Sequence, residues 1–183
     1  MRTRLTVVLS VLAAAAPGQE SLLSDTEADI RWEKLMIITN GESDAEQLQH
    51  LRSHGMGDEG AKALLTFRTT AMREMNNVFR QLYQELCARQ KELRETGGPE
   101  MVAQIIEQQK LRESATRRRL LAEANSLLSA VDQERLEHLY TSDHGPNVQV
   151  HESGTAARVR NGQLPVEQAI SRSCELAKIS SAK

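Results

Sequence analysis

His50 and His54 stand four residues apart, the spacing that puts two imidazoles on one face of a helix where both can ligate one metal ion. His138 is the candidate third ligand, because a hairpin fold would carry it towards the helix bearing His50. The competing reading is a set of exposed polar histidines, which His144 and His151 complete. Met72, Met75, Phe79 and Leu82 recur at helical spacing and offer an adaptable apolar surface for a protein partner. The same spacing also serves ordinary core packing. Cys87 and Cys174 are the two cysteines, and in an oxidising compartment they can pair. Such a pair would contribute roughly 4 kcal/mol in the loop-entropy model. Two buried thiols on apolar helix faces are the alternative. Arg117, Arg118 and Arg119 fan around about 200° of a helix, too wide for one contact stripe, and read as a solvated face offset by Glu113 and Glu123.

Other chemistry is poorly represented. The sequence has no Gly-rich phosphate loop, no Cys-x-x-Cys and no His-Glu-x-x-His, so a non-enzymatic protein without a cofactor is expected. One Trp, two Tyr and two Phe are all the aromatic residues. Ligand pockets and base-stacking surfaces rely on aromatic side chains, and a formal charge of −2 gives no electrostatic reason for nucleic-acid binding. Leu, Ala, Met, Gln, Glu and Arg dominate, which are strong helix formers. The expected fold class is all-α.

The elements that would position these residues can be read along the chain. Residues 1–18 have the layout of a secretory signal peptide: Arg2 and Arg4, an uncharged apolar run from Leu5 to Ala16, then Pro17-Gly18. That run spans about 18 Å as a helix, short of the ~30 Å hydrocarbon core, so no permanent membrane span is expected. The mature chain should begin between Ala14 and Gln19, in the periplasm or outside the cell. Residues 19–42 form an N-terminal helical segment opened by Ser24 and stopped by Asn40-Gly41. Ser43 and Glu46 have capping-box spacing and open the region 43–141.

Within that region, Leu65, Met72, Phe79, Leu86 and Leu93 recur every seven residues along a run from Glu59 to Glu95, a stripe that needs a partner helix. Thr96-Gly97-Gly98-Pro99 breaks the run, and a second extends from Glu100 to Tyr140, with a kink or restart at Ser129 to Asp132. Two long helices joined so tightly fold back antiparallel. The stretch from Gln108 to Arg119 is polar, so thin packing is expected opposite Phe79 and Leu82. Residues 142–164 read as a flexible linker and 165–183 as a C-terminal amphipathic helix.

This organisation resembles the Spy/CpxP-like periplasmic stress proteins, which carry short Leu-Thr-x-x-Gln motifs before helices. The corresponding stretches are Leu128-Ser129-Ala130-Val131-Asp132-Gln133, one residue longer and with Ser for Thr, and Gly55-Met56-Gly57-Asp58-Glu59 before the first long helix. The resemblance covers about residues 43 to 141. It implies an exported chaperone that holds unfolded clients or a protein partner. The alternative is that a homodimer, or the C-terminal helix tied by Cys87 and Cys174, covers the apolar stripe. Metal-responsive sensing through the histidines and a coiled-coil scaffold remain the open alternatives.

Overall fold

The computed structural model describes residues 23–142 and 154–181. Every regular element among them is helical, so the protein is all-α. The signal-like segment, His144 and His151 lie outside the described residues.

The helix ends follow local chemistry. In α1 (Asp25–Ile38) the Ser24 hydroxyl accepts from the Glu27 N–H at 3.2 Å. In α2 (Asp44–Ser53) Ser43 accepts from the Glu46 N–H at 3.3 Å, and the Glu46 carboxylate accepts from the Glu42 N–H at 2.9 Å. Helix α3 (Asp58–Ala88) has Gly57 at its cap position and takes its cap from elsewhere in the chain. A short turn α4 (Gln90–Glu92) and a π-helical turn (Leu93–Gly97) then reverse the chain. Gly98 follows at φ +58°, ψ −172°, a conformation open essentially to glycine alone, with Pro99 just inside α5 (Gly98–Ser126). Ser129 starts α6 (Ala130–Thr141) by accepting from the Asp132 N–H at 3.2 Å. Helices α7 (Thr155–Arg160) and α8 (Val166–Ser181) complete the described chain.

Helices α3 and α5 pack as the expected antiparallel hairpin. Their facing residues step in opposite directions: Glu85 meets Arg112, and Glu74, earlier in α3, meets Arg119, later in α5. Two apolar cores lie along this hairpin. The first gathers Trp32, Leu35 and Ile38 of α1, Leu51 of α2, Leu64 and Phe67 of α3, and residues of α5 and α6. The second joins Leu86, Leu93, Val102 and Ile105 to Val159 of α7 and Ile170 of α8. Between them the hairpin has a polar waist, where the buried Gln109 amide donates to the Val78 carbonyl at 2.6 Å and Ser114 is buried.

Several expectations need correcting. The first long helix ends at Ala88 instead of Glu95; the second breaks after Ser126 and restarts with Ser129 as its cap, at the place expected for a kink or restart. The buried face of α3 is Ala61, Leu64, Phe67, Ala71, Met75 and Leu86, so Met72 of the sevenfold stripe is left 39 % exposed. A straight helix drifts about 20° per heptad against an exact seven-residue repeat. Here α2, α5 and α8 all pack on α3, so its buried face is set by several neighbours and not by one coiled-coil seam.

The polar stretch of α5 is not thinly packed either: α1 lies on it, and its arginines reach acids of α1 and α3. Residues 155–160 of the expected linker form α7, docked on α5 with Val159 buried. Arg160 fixes this helix by pairing with Glu100 at 2.9 Å and with Glu107.

Candidate functional site

The outer faces of α1 and α3 form an open groove of about 380 Å³. Helix α1 contributes Glu33, Met36 and Ile37, which share one face at three- and four-residue spacing, and Asn40 just past its end adds to that wall. Helix α3 contributes Arg68, Met72, Met75 and Phe79, again along one face. Trp32 and Arg117 line it as well. Ile37 is 42 % exposed and Met72 39 %, so apolar side chains stand open to solvent here, while Met75 is buried in the first core. Three of the four candidate partner-binding residues, Met72, Met75 and Phe79, therefore come together. Leu82 does not join them, because it packs against the second core beyond the polar waist.

The groove's charged residues differ in how they are held. Arg117 is mostly buried and pairs with Asp29 at 2.5 Å, with Glu113 at 4.0 Å. Burial pushes the Glu113 carboxyl above its ordinary value, and the Arg117 charge only partly opposes this. Arg118 pairs with Asp25 of α1, and Arg119 with Glu74 of α3. The arginine run thus reaches three separate acids, and Arg117 in particular is not part of a solvated face. Arg68 donates to the Asn40 side-chain oxygen at 3.2 Å, and its Nε is buried without a hydrogen-bond partner. Among the described residues, neither Arg68 nor Glu33 makes an ion pair.

His50 and His54 do meet. Their Nε2 atoms are 3.2 Å apart, with ring centroids at 4.9 Å and planes tilted by 54°. Burial, and then the neighbouring His50, holds the His54 imidazole below its ordinary value. His138 sits exposed in the last turn of α6, and no group of three His, Cys, Asp or Glu residues among those described is placed to hold a metal ion. Cys87 and Cys174 form a disulfide with a Cα–Cα distance of 4.9 Å, joining α3 to α8.

Sequence reasoning missed the α1 wall of the groove. The signal was present in Leu35-Met36-Ile37-Ile38, four consecutive apolar residues that cannot all face one core. Leu35 and Ile38 point inward, which leaves Ile37 exposed and Met36 at the groove. No family model matches the chain, and no curated protein or solved structure matches it.

Proposed function

We propose that this chain works by holding other proteins and that the groove between α1 and α3 is where it holds them. The observation that carries the reading is the cluster of open apolar side chains, Ile37 and Met72 beside Met36 and Phe79. Thioether side chains adapt to differently shaped partners, and an apolar patch left open on a protein surface usually marks a contact site. The signal-like residues 1–18 and the Cys87–Cys174 bond suit a protein exported to an oxidising compartment, the periplasm or the outside of the cell. The resemblance to Spy/CpxP-like stress proteins favours partly unfolded clients over a single folded partner.

The test is light scattering of a chemically denatured model protein diluted into buffer. The wild-type chain at near-stoichiometric ratio should slow its aggregation, and an Ile37→Asp, Met72→Asp double variant should not. Both residues are exposed, so circular dichroism should show the variant folded. Equal protection by the variant would remove the groove from the reading. No protection together with a tight oligomer in sedimentation would favour the scaffold.

A metal-responsive role is the second reading, favoured by one observation. Two nitrogens bound about 2.0–2.1 Å from one tetrahedral zinc lie about 3.3 Å apart, close to the 3.2 Å between the His50 and His54 Nε2 atoms. Calorimetric titration with nickel, copper and zinc checks it. Heat of binding that survives a His50→Ala, His54→Ala double variant would rule this pair out.

A further inference from the structure

We infer that the occupant of the α1–α3 groove is an amphipathic helix of a partner protein carrying one acidic and one basic residue two helical turns apart beside its apolar face. The acid is set against Arg68 and the base against Glu33. The inference rests on the protein-binding reading and specifies which kind of segment is held.

Two neighbouring helices that both expose apolar residues leave between them a furrow into which a third helix can lay its ridge. Here the ridges are Met36 and Ile37 on one side and Met72 and Phe79 on the other. The charges select among the segments that could lie there. Arg68 stands at the Asn40 end, held at 3.2 Å to that side chain. Glu33 lies seven positions before Asn40, which sits two residues past the end of α1, so at the helical rise the two stand about 10 Å apart. Neither has an opposite charge within the protein among the described residues, whereas Arg117 already has Asp29 at 2.5 Å. The groove therefore presents an open cation and an open carboxylate flanking an apolar middle.

A helix repeats a face every two turns, about 10.5 Å, which matches that separation. An extended strand covers the same length in about three residues and would turn the second charge to its opposite face. A fatty acid would satisfy Arg68 and leave the Glu33 carboxylate against hydrocarbon. The match in spacing and in sign favours the helix.

Fluorescence anisotropy with labelled helical peptides of about 18 residues tests this. All carry the same leucine face, and the two positions hold Lys with Glu, Gln with Gln, Lys with Lys, or Glu with Glu. The Lys/Glu peptide should bind the full-length protein about fivefold tighter than the Gln/Gln peptide, the factor expected of two exposed ion pairs. That advantage should shrink at high salt. Arg68→Glu should turn the preference to Lys/Lys, and Glu33→Lys should turn it to Glu/Glu. The second variant lies on an exposed residue and guards against a folding defect in the first. Equal binding of all four peptides would overturn the charge-matched partner while leaving the groove as a protein site. Failure of every peptide to bind, or binding unchanged in Met72→Asp, would overturn both. Displacement of the Lys/Glu peptide by oleate with no effect of Glu33→Lys would show the groove to be a lipid site instead.

Discussion

Asp132 shows how much one side chain can organise. Its Oδ1 accepts from the Gly57 N–H at 2.9 Å, while Ser129 donates to Oδ2 at 3.0 Å and Arg135 stands 3.3 Å away. The carboxylate thus serves α6 and, across the fold, the N-terminus of α3, where negative charge is favoured by the helix dipole. It also explains two glycines. A Cβ on Gly60 would fall 2.6 Å from Asp132 Oδ2, and one on Gly57 at 3.3 Å. Asp132→Ala should destabilise the protein by about 1.5–3 kcal/mol, as for other hydrogen bonds to a charged group. Gly60→Ala should cost about 1–3 kcal/mol through the forced shift of that carboxylate.

The Gly57 N–H, helped by Ser129 and Arg135, holds the Asp132 carboxyl below its ordinary value despite burial. A carboxylate depressed in the folded state stabilises above its unfolded value of about 3.9 and loses that contribution as pH falls through the folded value. The stability gap between wild type and Asp132→Ala, measured by urea melts, should therefore be constant near neutrality and narrow in acid. A gap independent of pH would contradict the role of the charge. Ser129 as a restart point was readable from the sequence. Asp132 as the cap of a helix 75 residues away was not, because nothing local in the chain records which helix end a side chain will meet.

At the level of elements, helix starts and the reversal at Gly98 were legible because caps and glycine conformations are local properties. The phase of α3 was not. Met72 and Met75 belong to the same repeat in the sequence, yet Met75 is buried and Met72 open, since the neighbours of α3 decide which flank is covered. The arginine run was legible only in part: its local acids Glu113 and Glu123 do pair with Arg117 and Arg119, but Asp25, Asp29 and Glu74 come from other helices. Helix α7 escaped detection because it is six residues long and held by the distant Glu100 and Glu107. Leu86 tests the packing of these elements, being 2 % exposed and central to the second core. Leu86→Asp should cost about 3–5 kcal/mol by placing an unpaired charge there. A thermal melt by circular dichroism that matched wild type would refute the placement of α8 and α5 around it.

For the whole molecule, the division into two cores across the Gln109 waist means that the ends need not share one stability. The first core is held by packing and by charged ties such as Arg31 to Glu137 at 2.5 Å, whereas the second has a covalent tie. Removing the disulfide in a Cys87→Ala, Cys174→Ala variant should cost about 2–4 kcal/mol. Hydrogen exchange should show protection falling first in α7, α8 and the turn end of the hairpin, with amides around Leu35 and Leu121 keeping theirs longer. Uniform loss of protection would mean that the waist does not separate the cores. The groove lies on the first core, so the variant should still hold clients.

The bond between Cys87 and Cys174 spans 87 positions in sequence and closes α5, α6, α7 and the first half of α8 into one covalent ring, with nearly all of α3 outside it. A ring, unlike a thread, survives a single cut. A protease that nicks the backbone between α6 and α7 would leave both fragments in one molecule, released from each other only when a reductant opens the sulfur bridge.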